Sequence, residues 1–241
     1  MLINSKQLFG NSLAALDGNI GHVKDLFFDD EVWVVRYVVA DTGTWLTSRL
    51  VLLSPHAFGG LDDQAKELSV RLTKGQIEES PPIDTHQPVS RQYEIDYFRY
   101  YGWPTYWNGG AMWGMAGYPF AVAPVGAEIE KLAPFHHRAD KHLRSAKEID
   151  GYDIQARDGL IGNVSGLMLN LMSWAVTDIV VDTGHWYCGK EIRIRTSSVE
   201  RISYEDSKVF VSLTLADIRH TADNAVAHAG SPAPLADLVR D

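Results

Sequence analysis

The chain has 241 residues and a formal net charge of −9, from 22 Lys and Arg against 31 Asp and Glu. This acidity argues against a surface for nucleic-acid phosphates and against binding of anionic lipid by charge alone. The single cysteine, Cys188, excludes an internal disulfide, and we expect it to be buried or incidental.

The amino terminus predicts neither secretion nor membrane insertion. Residues Met1–Lys6 lack the charged and long apolar regions of a signal peptide. The apolar run Val32–Ala40 is interrupted by Arg36, and no stretch reaches the roughly 20 apolar residues that span a bilayer. We therefore expect a cytoplasmic protein without direct membrane insertion.

An internal repeat with a constant offset organises the chain. Asp17–Leu26 and Trp33–Trp45 recur as Asp158–Leu167 and Trp174–Trp186. Without a gap, residues 5–77 match residues 146–218 at 20 identical positions. Such self-similarity indicates an internal duplication. Two units of about 75 residues each have thin cores, so we expect them to pack on each other or on a partner.

Each copy is predicted to open with a helical turn and to continue as short strands. Ser145 and Glu148 form a capping box in the second copy. The predicted strands are His22–Phe28, Trp33–Asp41, one from Trp45, Val51–Leu53 and Leu68–Leu72, with counterparts that include Asn163–Leu169, Ile192–Ile194 and Val209–Leu213. The strand Trp33–Asp41 is apolar on both faces, so both should be covered. Five or six short strands per copy suit a small closed barrel.

The sequence between the copies, residues 79–144, differs in character. It holds seven of the ten prolines and many aromatic residues. Ser90, Gly102 and Pro104 predict a short helix over residues 91–101 by their capping and terminating tendencies. Free tethers are poor in aromatics, so this insert should pack on the barrels or recruit a protein partner. The candidate interaction surface consists of Tyr97, Tyr101, Trp103, Tyr106, Trp107 and Trp113.

The repeated residues resemble the PRC-barrel family. The resemblance rests on Asp-Gly-x-x-Gly-x-Val-x-Asp-Leu from Asp17, an apolar strand ending in Asp-Thr-Gly-x-Trp-Leu from Asp41, and the segment Arg49–Pro55. It covers residues 1–78 and 145–221. The second copy departs from it at Gly166, which replaces Asp25, and over residues 193–196.

The resemblance implies a mainly β protein with two small PRC-type barrels. The aromatic insert would join them, and the composition of residues 222–241, rich in Ala and Pro, predicts a flexible tail. The family includes the cytoplasmic barrel of the photosynthetic reaction centre H subunit, and its barrels serve mostly as non-catalytic docking or stabilising modules. We therefore expect a non-enzymatic protein-interaction module that self-associates. A peripheral partnership with a membrane or photosynthetic electron-transfer complex is a weaker expectation, because it is fold analogy alone.

The repeated glycine, aspartate and tryptophan residues are expected to hold the barrels together. Asp and Thr side chains cap turns, and glycine accepts a left-handed backbone. These barrel-structural positions are Gly21, Asp41, Gly43, Trp45, Gly162, Asp182, Gly184 and Trp186.

Two chemical alternatives compete with this reading. One Asp-Thr-Gly in each half is also how aspartic proteases build a catalytic pair, which would use Asp41 and Asp182. Trp45 and Trp186 follow where proteases place small residues, which favours the turn. His136, His137, Asp140 and His142 could be drawn as a metal site, but they lack zinc-like spacing, so neither a metal nor a cofactor is expected.

Overall fold

The computed structural model describes residues 1–46, 49–81, 91–107, 111–114, 117–119, 142–184 and 191–220. They are mainly β, which confirms the predicted class, and their strands form a large mixed sheet. The chain divides into two compact units: Met1–Asp150 with Gly166–Ile179, and Gly151–Ser165 with Val180–Asp241.

The first copy contains seven strands and two short helices. They are β1 (Leu2–Asn4), α1 (Ser5–Leu8), β2 (Ser12–Ala15), β3 (Gly18–Asp29), β4 (Val34–Asp41), β5 (Leu50–Leu53), a 3₁₀ turn (Pro55–Ala57), β6 (Phe58–Asp62), β7 (Glu67–Val70) and α2 (Lys74–Glu78). Asn4 and Thr73 begin the two helices, each in a capping box with a glutamine three residues later.

The insert and the second copy follow. They contain α3 (Arg91–Tyr101), β8 (Leu143–Ser145), β9 (Asp153–Gln155), β10 (Leu160–Asn170), β11 (Ala175–Asp182), β12 (Glu191–Arg195), a 3₁₀ turn (Thr196–Ser198), β13 (Val199–Ser203) and β14 (Lys208–Val211). Helix α3 has the predicted bounds. Trp45 lies in a turn instead of beginning a strand, because residues 43–46 reverse the chain after β4.

Strand pairing follows the same pattern in both copies. The order is β6-β7-β2-β3-β4 in the first and β13-β14-β9-β10-β11 in the second. Strands β2 and β7 pair in parallel with Leu13 opposite Leu68, and β9 and β14 do so with Ile154 opposite Val209. Ile154 and Val209 are the repeat counterparts of Leu13 and Leu68, so the two parallel pairs have the same register. Among the described strands, β6 and β13 end this order without pairing with each other, so the sheet is open.

The strand predicted to be apolar on both faces is the centre of the first unit. Every residue from Val34 to Ala40 is buried. Strand β3 covers one edge, pairing Leu26 with Val38, and β5 covers the other, pairing Val38 with Leu53. The buried sequence includes Arg36, whose partners are described below.

The halves exchange their first strands within the first unit. Strand β1 pairs with β10 of the other half, with Leu2 opposite Asn170. In return β8 pairs with β3, with Leu143 opposite Asp29. Leu2 and Leu143 are repeat counterparts, 141 residues apart, and so are Asp29 and Asn170.

A third reciprocal contact joins β4 and β11, the strands that follow β3 and β10 in the chain. Val34 lies opposite Ala175, its own counterpart in the repeat. The amide of Val35 donates to the carbonyl of Trp174 at 2.8 Å, and that of Val176 donates to the carbonyl of Trp33 at 2.7 Å. Contacts of this kind are isologous, as in a twofold dimer. They also explain why the boundaries of the compact units fall inside β10 and β11 instead of at residue 145.

No helix among the described residues is long and apolar enough to cross a membrane.

Two glycines are required where neighbouring strands touch. Gly21 has φ +117°, and a Cβ there would lie 2.0 Å from the carbonyl oxygen of Asp41. Gly162 has φ +157°, and a Cβ there would lie 2.0 Å from the carbonyl oxygen of Asp182. In both cases the obstructing atom is backbone, which cannot rotate away.

We predict that Gly21→Ala lowers the free energy of unfolding by at least about 3 kcal/mol, because strain at a left-handed backbone adds to the steric overlap. Gly60→Ala is the matched control, since nothing lies within 4 Å of its Cβ position, and it should change stability by less than about 1 kcal/mol. Urea denaturation of both variants measures this, and equal losses would contradict it.

Candidate functional site

Helix α3 is attached to the first copy through buried tyrosine hydroxyls. Tyr97 is fully buried. Its hydroxyl donates to the carbonyl of Leu52 at 2.9 Å and accepts from the amide of Ser54 at 3.0 Å. Burial raises its pKa well above the ordinary tyrosine value, so it remains a neutral donor. The hydroxyl therefore satisfies backbone groups where β5 ends.

Glu94 carries a carboxylate into the same interior. It is fully buried, and Oε1 accepts hydrogen bonds from Tyr37 at 2.8 Å and from Tyr106. Burial and then the nearby Glu94 charge raise the pKa of Tyr37 well above its ordinary value. The two hydroxyls join α3, β4 and the segment after the helix around one acceptor.

Arg36 is the buried cation of this region. Its Nη1 donates to the carbonyl of Met112 at 2.7 Å, and Nη2 lies 3.4 Å from Asp29 Oδ2. The guanidinium carbon lies 3.9 Å from the ring centroid of Tyr106 and 5.1 Å from that of Trp113. Cation–π contact and charge-assisted hydrogen bonds offset part of its desolvation cost. Arg36 thereby holds Tyr106, Met112 and Trp113 against β4.

His56 lies neutral among aromatic rings. Its Nδ1 is 3.0 Å from Ser54 Oγ, and its ring stacks on Trp103 with centroids 5.6 Å apart. Burial first, and then the positive charges of Arg36 and Arg71, lower its pKa to about 4. The ring acts as an aromatic spacer at neutral pH.

The six aromatic residues proposed for an interaction surface separate into two layers. Tyr97, Tyr106 and Trp113 are buried within the first unit, which assigns them to its interior. The other three are half-buried and form what we call the outer layer: Tyr101, Trp103 and Trp107.

Ring contacts within the outer layer and with the buried Phe98 fix the positions of its side chains. Tyr101 stacks on Trp103 with centroids 4.4 Å apart and an interplanar angle of 14°. Trp107 meets the buried Phe98 edge-on at 5.5 Å. Stacked and edge-to-face pairs add about 1 kcal/mol each beyond burial. The outer layer therefore has a defined geometry before any partner arrives.

The buried polar network was missed by the sequence reasoning, although a signal existed. Arg36 is the one charge in the apolar run Val32–Ala40, and such an isolated charge is expected to be buried with partners. Glu94 shares α3 with Asp96 and Arg99, so the sequence does not single it out. What the sequence could not show is that phenol hydroxyls satisfy Glu94 while a carbonyl and Asp29 satisfy Arg36.

The two Asp-Thr-Gly segments form turns. Asp41 Oδ1 accepts from the amide of Gly43 at 3.0 Å, and Asp182 Oδ1 accepts from the amide of Gly184 at 2.9 Å. Both glycines have positive φ. These hydrogen bonds are the ones expected of Asp side chains that stabilise turns. Trp45 is half-buried in the first turn; Trp186 lies outside the described residues.

Of the four residues that could be drawn as a metal site, only His142 lies among the described residues. His136, His137 and Asp140 lie outside the described residues. His142 Nδ1 lies 3.1 Å from Asp30 Oδ1. Within the described ranges no group of three or more His, Cys, Asp or Glu side chains could hold a metal ion.

No protein-family model matches the chain, and the search of curated proteins gives no match.

We predict that Glu94→Ala lowers the free energy of unfolding by about 3 kcal/mol, because two buried hydroxyls lose their acceptor. Glu94→Gln should cost less, since an amide oxygen remains. Asp96→Ala on the same helix is the control, being half-exposed, with an expected change below about 0.5 kcal/mol. Thermal and urea unfolding measure the three, and an equal effect at both acids would contradict the network.

We predict that stability falls as the pH drops from about 6.5 to about 4. Across this window the unfolded chain binds a proton at His56 that the folded chain excludes. The full effect is about 3 kcal/mol, and His56→Phe should remove it while His22→Phe, at an exposed site, should not. Urea titrations from pH 4 to 7 test this; an unchanged slope in His56→Phe would refute the assignment.

Proposed function

We propose that the chain is a non-enzymatic tandem PRC-barrel protein that acts as a protein-interaction, docking or stabilising module. On this proposal the internal duplication produced two small barrels, one from residues 1–78 and one from residues 145–221. The shared strand order, parallel registers and paired glycine contacts support the duplication. The likeness of residues 17–55 to the family motif supports the barrel assignment.

The outer layer is the observation that carries the interaction function. Soluble proteins use half-exposed Tyr and Trp on rigid supports as anchors for protein partners. Here Trp103 stacks on Tyr101 and on the neutral His56 ring. Arg36 donates a hydrogen bond to the carbonyl of Met112, which follows these residues in the chain. These contacts order the outer-layer side chains before a partner binds, so less side-chain entropy is lost on binding.

The partner we favour first is a second copy of the chain, giving a homo-oligomer in the cytoplasm. Net charge of −9 disfavours nucleic acid and anionic lipid. A peripheral role beside a membrane or photosynthetic electron-transfer complex, without membrane insertion, is the wider form of this proposal, and it rests on the family likeness alone.

We predict that the purified protein sediments as an oligomer and that Trp103→Ala with Trp107→Ala converts it to a monomer with at least a tenfold weaker self-association constant. Their half-burial should leave the fold intact, which circular dichroism verifies. Trp45→Ala is the matched control, a half-buried tryptophan outside the insert.

Sedimentation velocity over a hundredfold concentration range gives the constants. A wild-type monomer at every concentration that also retains no protein in crosslinked affinity capture would contradict the proposal.

A further inference from the structure

The two exchanged strands make contacts with the same backbone geometry but opposite side-chain chemistry. In one, the amide of Asp30 donates to the carbonyl of His142 at 2.9 Å; in the other, the amide of Leu171 donates to the carbonyl of Met1 at 3.0 Å. The residues of the second contact are the repeat counterparts of the first. We call them the charged contact (β8 on β3) and the apolar contact (β1 on β10).

The charged contact pairs basic groups of β8 with acids at the β3 hairpin. Arg144 Nε lies 3.0 Å from Asp30 Oδ2, and His142 Nδ1 lies 3.1 Å from Asp30 Oδ1. Glu31 lies 3.8 Å from His142 Nε2. Asp30 is only 16% exposed, so the pairing is shielded from solvent more than an ordinary surface ion pair.

No side chain at the corresponding positions of the apolar contact carries a charge. Met1 and Ile3 stand where His142 and Arg144 stand in the charged contact. Leu171 and Met172 stand where Asp30 and Glu31 stand. Ile3 is 2% exposed.

A second set of substitutions lies deeper along the same strands. Asp25 accepts the Ser145 hydroxyl at 2.5 Å and the Lys147 amide at 3.1 Å. Its counterpart Gly166 has no side chain, and a Cβ there would lie 2.6 Å from Asn4 Oδ1, the counterpart of Ser145. A larger residue on one strand thus accompanies a smaller one on the other.

The backbone amide of the next residue, Leu26 or Leu167, has a different acceptor in each half. Leu26 donates to Asp25 Oδ1 at 2.7 Å. Its counterpart Leu167 donates to Ser5 Oγ at 3.0 Å. A strand moved to the wrong hairpin would leave Leu167 facing an alanine, Ala146, which has no acceptor.

We propose that these differences form a recognition code by which each half accepts the first strand of the other half and rejects its own. Pairing of two first copies would set Met1 and Ile3 against Asp30 and Glu31. Pairing of two second copies would set His142 and Arg144 against Leu171 and Met172. The first pairing would leave the part-buried Asp30 without its basic partners, and the second would leave Arg144 without Asp30. Unpaired charges of this kind are how specific interfaces exclude wrong partners. The occupant of each hairpin is the strand of the other half, and the inference does not rest on the family assignment.

A mutant cycle in the full chain tests the code. One variant carries Asp30→Leu with Glu31→Met, a second carries His142→Met with Arg144→Ile, and a third carries all four, which copies the apolar contact. We expect each pair alone to lower the folded-to-unfolded ratio about tenfold or more, and the four together to lower it at least tenfold less than the product of the pairs.

The exposed ion pair of Arg157 and Glu200, with atoms 3.5 Å apart, is the control cycle, with an expected coupling below about threefold. Additive effects in the first cycle would overturn the proposal.

Partner choice is read separately by photocrosslinking, because a merely structural ion pair would not change it. A benzophenone amino acid replaces the exposed Leu2, and isotope-labelled and unlabelled chains are refolded together. In the natural background crosslinks should map to residues 168–172. In the four-fold variant, where both contacts are apolar, crosslinks to residues 27–31 of another chain should rise at least tenfold. An unchanged crosslink ratio in the folded four-fold variant would overturn the code.

Discussion

The reciprocal exchange of first strands is the constraint on which the rest of the structure depends. Strand β1 completes the hairpin of the second copy, and β8 completes that of the first. Val34 and Ala175 pair between them. Each copy has a thin core, and a two-stranded hairpin is marginally stable alone in water. Because each half supplies a strand that pairs with the other half, the folding of the two halves is coupled. The added strands also cover edges of β3 and β10 that would otherwise be exposed.

The insert builds on this frame. Strand β4 is covered by β3 and β5 at its edges, so its faces are free to take helix α3 and the residues after it. Arg36 and Tyr37 are consecutive on that strand, where its register against β3 shifts. Arg36 meets the carbonyl of Met112, and Tyr37 meets Glu94. The buried polar groups fix the position of α3 and of Tyr106 and Met112 after it, and the outer layer of Tyr101, Trp103 and Trp107 takes its geometry from them. The proposed interaction function is thus a consequence of charges buried below the surface.

The sequence predicted the elements with strong local signals. Helix α3 follows from Gly102 and Pro104, and β4 follows from an apolar run that only Arg36 interrupts. The turns at Asp41 and Asp182 follow from Asp-Thr-Gly chemistry, since the side chains act on amides two residues away. The exchange of strands could not be predicted, because β1 and β8 have no local property that names their partner. The burial of Tyr97, Tyr106 and Trp113 was likewise hidden, since exposed and buried aromatics look alike in sequence.

Native-state hydrogen exchange on a chain lacking residues 1–4 tests the reciprocal exchange most directly. The amide of Leu171 donates to Met1, and the equivalent amide of Asp30 donates to His142. Removal of β1 should therefore accelerate exchange at Leu171 at least tenfold and leave Asp30 protected, because β8 remains in place. Equal acceleration at both amides, or unchanged protection at Leu171, would contradict the assignment of β1 to the hairpin of the other half.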